Sequence, residues 1–151
     1  MVTCCDTSFL FSLYGEDVHS EMAVAWVRAC EHPLSLSPLT AFEFGNALRF
    51  AAFKGFYTVE AVTGYRMDFE SALLSERLVL CRPNLARVIE LASEFSERYT
   101  LGAGHRSFDI LHVAAACVLK SDEFLSFDTN QNKLANEVGL CAPFGIDGRL
   151  S

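Results

Sequence analysis

The chain contains no Cys-x-x-Cys pair, no basic leader, no membrane-length apolar run and no complete glycine-rich phosphate loop. Each absence removes a class of protein. Six cysteines are present, but Cys4 and Cys5 adjoin, and Cys30, Cys81, Cys117 and Cys141 stand singly in apolar stretches. That pattern argues against a disulfide framework or a zinc site and for small buried hydrophobes in a reducing compartment. The longest apolar run, 110–119, contains His112 and reaches only about half the ~20 residues a membrane helix needs. The apolar N-terminus is cut by Asp6 and reads poorly as a signal peptide. A soluble, cytoplasmic protein with no membrane partner is therefore expected. Gly102-Ala103-Gly104 follows a helical pattern and lacks a third glycine, so it is discounted as a nucleotide loop. Basic residues are also scarce: 12 Lys and Arg against 19 Asp and Glu give a formal charge of -7, which argues against a broad basic nucleic-acid surface.

What is present points to a packed domain. Hydrophobic residues make up 51% of the 151 positions and charged residues 21%, enough for one real core and too few residues for two comfortable ones. No repeat or linker divides the chain, so 1–151 reads as a single domain, with a loose tail from 143. Four short, poorly alternating runs have strand character: 2–5, 34–37, 78–80 and 124–127. Longer helical patterns separate them, at 19–30, 39–53, 59–74, 84–99 and 107–119, with a short helix from about 132. Short apolar strands between helices imply a parallel sheet buried on both faces, the α/β class.

The informative anomalies are carboxylates in apolar settings. Asp6 falls at the carboxyl end of the first strand, where open α/β sheets bind ligands; taken alone it also reads as a turn or helix-cap residue. Glu43 lies on or beside the apolar stripe of the 39–53 helix, with Asn46 one turn on, where an unpaired carboxylate is costly. The alternative is an edge position from which Glu43 reaches water. Asp109 sits in the first turn of the 107–119 helix, a position the helix dipole favours without any function. Ala114, Ala115 and Ala116 let that helix approach the sheet closely. Asp128 ends the last strand, with Ser126 and Asn130 beside it, where an Asx turn is the plain reading. Asp122 precedes that strand and belongs to the opposite edge.

These residues, Asp6-Thr7-Ser8, then Pro38-Leu39-Thr40-Ala41-Phe42-Glu43, then Asp109-Ile110-Leu111-His112-Val113-Ala114, then Phe127-Asp128, resemble in order those of the PIN-domain nucleases, in particular the VapC-type toxins of bacterial toxin-antitoxin pairs. The resemblance runs from residue 1 to about 140. It implies a three-layer α/β/α sandwich with a central parallel sheet, and an acidic cluster of Asp6, Glu43, Asp109 and Asp128 holding Mg²⁺ or Mn²⁺. Ser8 and Ser126 match auxiliary hydroxyl positions. The family often has Thr-x-Asp where this chain has Ser126-Phe127-Asp128, so the fourth acid rests on the weakest match. His112 matches no fixed ligand. The resemblance further implies RNA hydrolysis leaving a 3'-hydroxyl and a 5'-phosphate.

The chemistry suits the residue types. Carboxylate oxygens favour hard divalent cations, and a cation with few protein ligands keeps waters available for phosphodiester hydrolysis. Arg49, Lys54, Arg106 and Lys133 follow or precede the acids in sequence and are candidates to hold substrate phosphates. Four of the seven excess negative charges belong to the proposed metal site, where two divalent cations would offset them. Two competing readings are an inert interaction module with the same fold and a phosphatase using Asp6 as nucleophile; the latter pattern wants a second Asp where Ser8 stands. An antitoxin and a second copy of the chain are the expected protein partners, with Phe42, Phe44, Phe50, Phe53, Phe56 and Tyr57 supplying apolar surface or ordinary core.

Overall fold

A three-residue strand exposes two faces at once, because successive side chains point to opposite sides. In the computed structural model, which describes residues 1–145, four such strands solve this by pairing in parallel between two helical layers. They are β1 (Thr3–Cys5), β2 (Leu34–Leu36), β3 (Leu78–Leu80) and β4 (Glu123–Leu125), in the order β3-β2-β1-β4. The register pairs Cys4 with Ser35 and with Phe124, and Cys5 with Leu125. Cys4 and Phe124 therefore enter one core, with Val88, Ile110, Val113 and Ala114. Cys5 and Leu125 enter the other, with Phe9, Leu10, Phe44 and Phe69. The two cores make a three-layer α/β/α architecture, as expected.

The helices are α1 (Thr7–Tyr14), α2 (Ser20–Ala29), α3 (Pro38–Phe53), α4 (Val59–Leu74), α5 (Leu85–Phe95), the three-residue α6 (Leu101–Ala103), α7 (Ser107–Val118) and α8 (Thr129–Glu137). A π-helical turn, Ser96–Thr100, links α5 to α6, so the single helix expected over 84–99 continues in altered form to Ala103. Helix α1 was not expected. Its sequence TSFLFSLY has no polar stripe, which suits a helix enclosed by neighbours more than one on a surface, and it packs against α2 and α3. Helix α8 starts three residues earlier than expected because Asp128 caps it. Ala114, Ala115 and Ala116 are all buried in α7, which packs closely on α5.

The ends of the chain hold two further differences. Cys4 and Cys5 are buried as expected, but Cys141 is exposed and Cys30, Cys81 and Cys117 are half-buried; all six are free thiols. Burial pushes the Cys4 and Cys117 thiols up to about 11. Cys141 also extends the sheet by one parallel bridge to Glu123. The tail expected to be loose begins with a turn: Phe144 packs against Phe127 at 4.9 Å and Phe9 at 5.9 Å between ring centres. The remainder, 146–151, lies outside the described residues. Among the described residues no helix is long and apolar enough to cross a membrane.

Candidate active site

Strand order decides where the site forms. The chain moves from β1 to β2 on one side, and β4 returns to the other side of β1, so the carboxyl ends of β1 and β4 flank a switch point. A crevice opens there in sheets of this kind. In this protein it is a cleft of about 440 Å³ whose lining includes Asp6, Glu43, Asp109 and Asp128. The four acids come from four separate elements: the end of β1, the second turn of α3, the first turn of α7 and the cap of α8.

Asp6 is the most enclosed of the four, only 2% exposed. Oδ1 accepts hydrogen bonds from the Phe9 amide at 2.9 Å and the Ser8 hydroxyl at 2.8 Å, while Oδ2 accepts from the Ser126 hydroxyl at 2.7 Å. Asp6 caps α1 and also lines the cleft. Burial pushes its carboxyl up to about 6, although the bonds from Ser126, the Phe9 amide and Ser8, and the nearby His112, favour the ionised form. Ser8 and Ser126 also wire the two strand ends together. The Phe127 amide donates to Ser8 Oγ at 2.9 Å and the Asp128 amide donates to Ser126 Oγ at 3.0 Å.

Glu43 lies at the edge position, with its side chain 31% exposed, and is paired: its Oε1 lies 3.2 Å from Nε2 of His112, which is 1% exposed. Across the ring, Nδ1 of His112 meets Thr40 Oγ1 at 3.2 Å. An ionised carboxylate only accepts, so Nε2 carries the proton on the Glu43 side; in the neutral ring Nδ1 then accepts from the Thr40 hydroxyl. Burial pushes Glu43 up, but hydrogen bonds from His112 and Thr7 and the nearby positive charge of Arg106 outweigh it, and the carboxyl ends below its usual range. Asn46, expected to share this face, is exposed.

Asp109 is pushed the other way. Burial and repulsion from Asp128 raise its carboxyl, with Glu43 adding repulsion and Arg106 and His112 opposing it. Arg106 Nε stands 3.5 Å from Asp109 Oδ2. Asp128 Oδ1 accepts from the Gln131 amide at 2.8 Å, so the expected local turn is a helix cap. The Gln131 side chain is buried and donates to the Asp109 carbonyl at 3.2 Å, tying α8 to α7 behind the acids.

The donor set suits a hard divalent cation in kind. Four carboxylates and the hydroxyls of Ser8 and Ser12 line one cleft, with Ser126 buried and bonded to Asp6, and repulsion among the acids is felt at Asp109. Thr7 Oγ1 adds a buried hydroxyl in the same wall, beside the Glu43 carboxylate. Among the described residues no three His, Cys, Asp or Glu side chains converge closely enough to enclose an ion by themselves.

The cations divide. Arg106 lines the cleft; Arg49, Lys54 and Lys133, proposed from sequence as phosphate contacts, do not. Arg49 is six residues beyond Glu43, about 120° round the helix, and its guanidinium lies beside Gly45 in a separate groove between α3 and α4. Lys54 returns to the Glu43 side only about 16 Å further along, at the end of α3, where its ammonium lies 5.6 Å from the centre of the Phe50 ring. Lys133 is exposed on α8. Among the polar cleft residues, Ser12, Asp17, His19 and Gln131 carried no functional signal in the sequence, and Thr7 entered only as the middle of Asp6-Thr7-Ser8. His112 was visible, but its role emerges only from the Glu43 and Thr40 contacts.

Comparisons with known proteins agree with this architecture. The chain is similar to FitAcB from Neisseria gonorrhoeae, at 15% identity and a TM-score of 0.68 over 93% of this chain and 96% of that one. It is similar to VapC20 of Mycobacterium tuberculosis, a sarcin-ricin loop cleaving toxin, at 17% identity and a TM-score of 0.66 over 87% and 93%. It is also similar to VapBC-1 from nontypeable Haemophilus influenzae, at 14% identity and a TM-score of 0.62 over 97% and 100%. Identities this low establish a common fold. No curated protein sequence matches the chain. The model of the PIN domain matches residues 3–137, and the chain belongs to the PIN domain family.

Proposed function

We propose that this protein is a divalent-metal-dependent ribonuclease acting as the toxin of a toxin-antitoxin pair. The observation that carries the reading is the convergence of Asp6, Glu43, Asp109 and Asp128 on one cleft at the switch point of the sheet. The fold shared with a toxin that cleaves the sarcin-ricin loop, and with a protein solved as a toxin-antitoxin complex, supports it.

Asp6, Glu43, Asp109 and Asp128 would hold Mg²⁺ or Mn²⁺, which would supply an activated water and offset charge on the phosphodiester and its leaving oxygen. The chain's own residues prepare that site. Ser8, Ser126 and the Phe9 amide fix the direction of Asp6, and His112 fixes Glu43. Arg106, beside Asp109, contacts the substrate phosphate; a contact of that kind positions the backbone and reads no sequence. The products carry a 3'-hydroxyl and a 5'-phosphate. The antitoxin covers the apolar surface of α3, where Phe42, Phe50 and Phe53 are exposed, Phe53 by 82%; Phe44 of the same stretch belongs to the core. A second copy of the chain is the further partner proposed.

The test is cleavage of single-stranded RNA by purified protein. Asp6→Asn and Asp109→Asn are each expected to reduce the rate at least about 100-fold while the far-UV circular dichroism stays unchanged. Wild-type rates in the folded double variant would refute the assignment. A metal-independent phosphoenzyme would favour phosphatase chemistry instead.

A further inference from the structure

The cleft poses an electrostatic problem. Its lining contains five carboxylates, those of the four acids and Asp17, against one permanently charged cation, Arg106, already 3.5 Å from Asp109. Even with divalent ions bound, little positive charge remains to hold a polyanion. Grip on a nucleic acid must then come largely from contacts that do not depend on charge, and for single strands the main one is stacking of bases on flat side chains.

The cleft contains such a surface. The imidazole of His19 lies parallel to the Phe127 ring, with centres 4.5 Å apart and planes 8° apart, and both residues line the cleft. Phe127 is backed by Phe144 at 4.9 Å and Phe9 at 5.6 Å, so the stack rests on the core. His19 is half-buried, with one ring face on Phe127. Its backbone is fixed as well. Asp17 Oδ1 accepts from the His19 amide at 2.8 Å, and Asp17 Oδ2 accepts at 2.8 Å from the hydroxyl of Ser12, a buried residue of α1. One residue before Asp17, the Tyr57 hydroxyl donates to the Glu16 carbonyl at 2.6 Å. A loop tied from two sides presents the ring at little entropic cost. Phe127 immediately precedes Asp128, and its amide donates to the Ser8 hydroxyl that also binds Asp6, so the stack is joined to the acids.

We propose that His19, buttressed by Phe127, is a base-stacking subsite for a nucleotide of single-stranded RNA next to the scissile phosphate. The proposal rests on the ribonuclease reading above and adds the residue that recognises the substrate. Because every base offers a flat face, the subsite confers a preference for unpaired nucleotides over paired ones and little selection among bases.

The test uses a mixed-sequence, single-stranded oligoribonucleotide and the full chain with Mg²⁺. His19→Ala is expected to raise KM about five- to hundredfold with kcat changed less than about threefold, and His19→Phe to restore KM. His19→Leu, which keeps apolar packing on Phe127 without a flat ring, is expected to remain defective. Removing the base on one side of the scissile bond should raise KM for the wild type and add nothing for His19→Ala. An unchanged KM in His19→Ala, full rescue by Leu, or independent multiplication of the two losses would overturn the proposal. Fluorescence anisotropy of the labelled oligonucleotide makes the same comparison by binding alone. A wild type that binds RNA through His19 without cutting it would refute the ribonuclease reading and leave the subsite standing.

Discussion

Replacing Asp6 by Asn is expected to stabilise the metal-free protein at neutral pH while removing its activity. In the folded protein burial lifts the Asp6 carboxyl from 3.8 to about 6. The native state therefore holds this proton more tightly than the unfolded chain does. Stability from this group is fully present below about pH 4 and is lost as pH rises through about 6. The rise corresponds to about 3 kcal/mol of native-state destabilisation at pH 7.5, an upper bound for what Asn recovers. Asn keeps the cap, because its side-chain oxygen accepts from the Phe9 amide and Asn caps as well as Asp. The Ser8 and Ser126 hydroxyls, 3.3 Å apart, can turn to accept from its amide group. Urea unfolding in excess chelator, from pH 4 to 8, reads the effect. Asp6→Asn should gain about 1–3 kcal/mol at pH 7.5, or roughly 2–12 °C in melting temperature for a chain of this size, and less than about 1 kcal/mol at pH 4. Saturating Mg²⁺ should narrow the gap by stabilising the wild type selectively. A variant equal to or less stable than wild type at pH 7.5, or a difference independent of pH, would refute the reasoning.

Other residues test other parts of the account. His112→Leu should weaken Mg²⁺ binding about 10–100-fold by calorimetry, whereas His112→Gln, which can still donate to Glu43, should recover much of it. Arg106→Ala should raise KM for RNA, while the Arg49→Ala, Lys54→Ala and Lys133→Ala triple variant should leave KM within about twofold, since none of the three lines the cleft. Phe44, 1% exposed, packs against Phe69 with ring centres 4.9 Å apart; Phe44→Ala should cost about 3–5 kcal/mol in urea unfolding. Phe53→Ala, at an exposed position, should leave stability within about 0.5 kcal/mol.

The parts of the site readable from sequence were those carried by local context. A run such as Val2-Thr3-Cys4-Cys5 marks a buried strand, and an Asp directly after it must lie near the strand's carboxyl end. The same holds for Phe124-Leu125 followed by Asp128. Asp109 could be placed at the start of a helix, and only tertiary packing brings it against Asp128. The chain hid what depends on direction. Lys54 is close to Glu43 in sequence, yet a straight helix carries it away from the cleft. TSFLFSLY gave no helical stripe because α1 is enclosed by neighbouring helices and the sheet. His19 gave no signal because its meaning depends on the Phe127 ring, 108 positions away. Thr7 reads as an ordinary first-turn residue, and only the fold shows its hydroxyl buried beside Glu43.

The most direct test of the central claim is a single-turnover cleavage time course on single-stranded RNA, run with excess chelator and again after adding Mg²⁺ or Mn²⁺. Asp6, Glu43, Asp109 and Asp128 acting as one metal-dependent site predict no cleavage in chelator, full recovery with either ion, and 5'-phosphate ends on the products. Cleavage that persists in chelator, or that Asp6→Asn with Asp109→Asn leaves intact, would contradict the account.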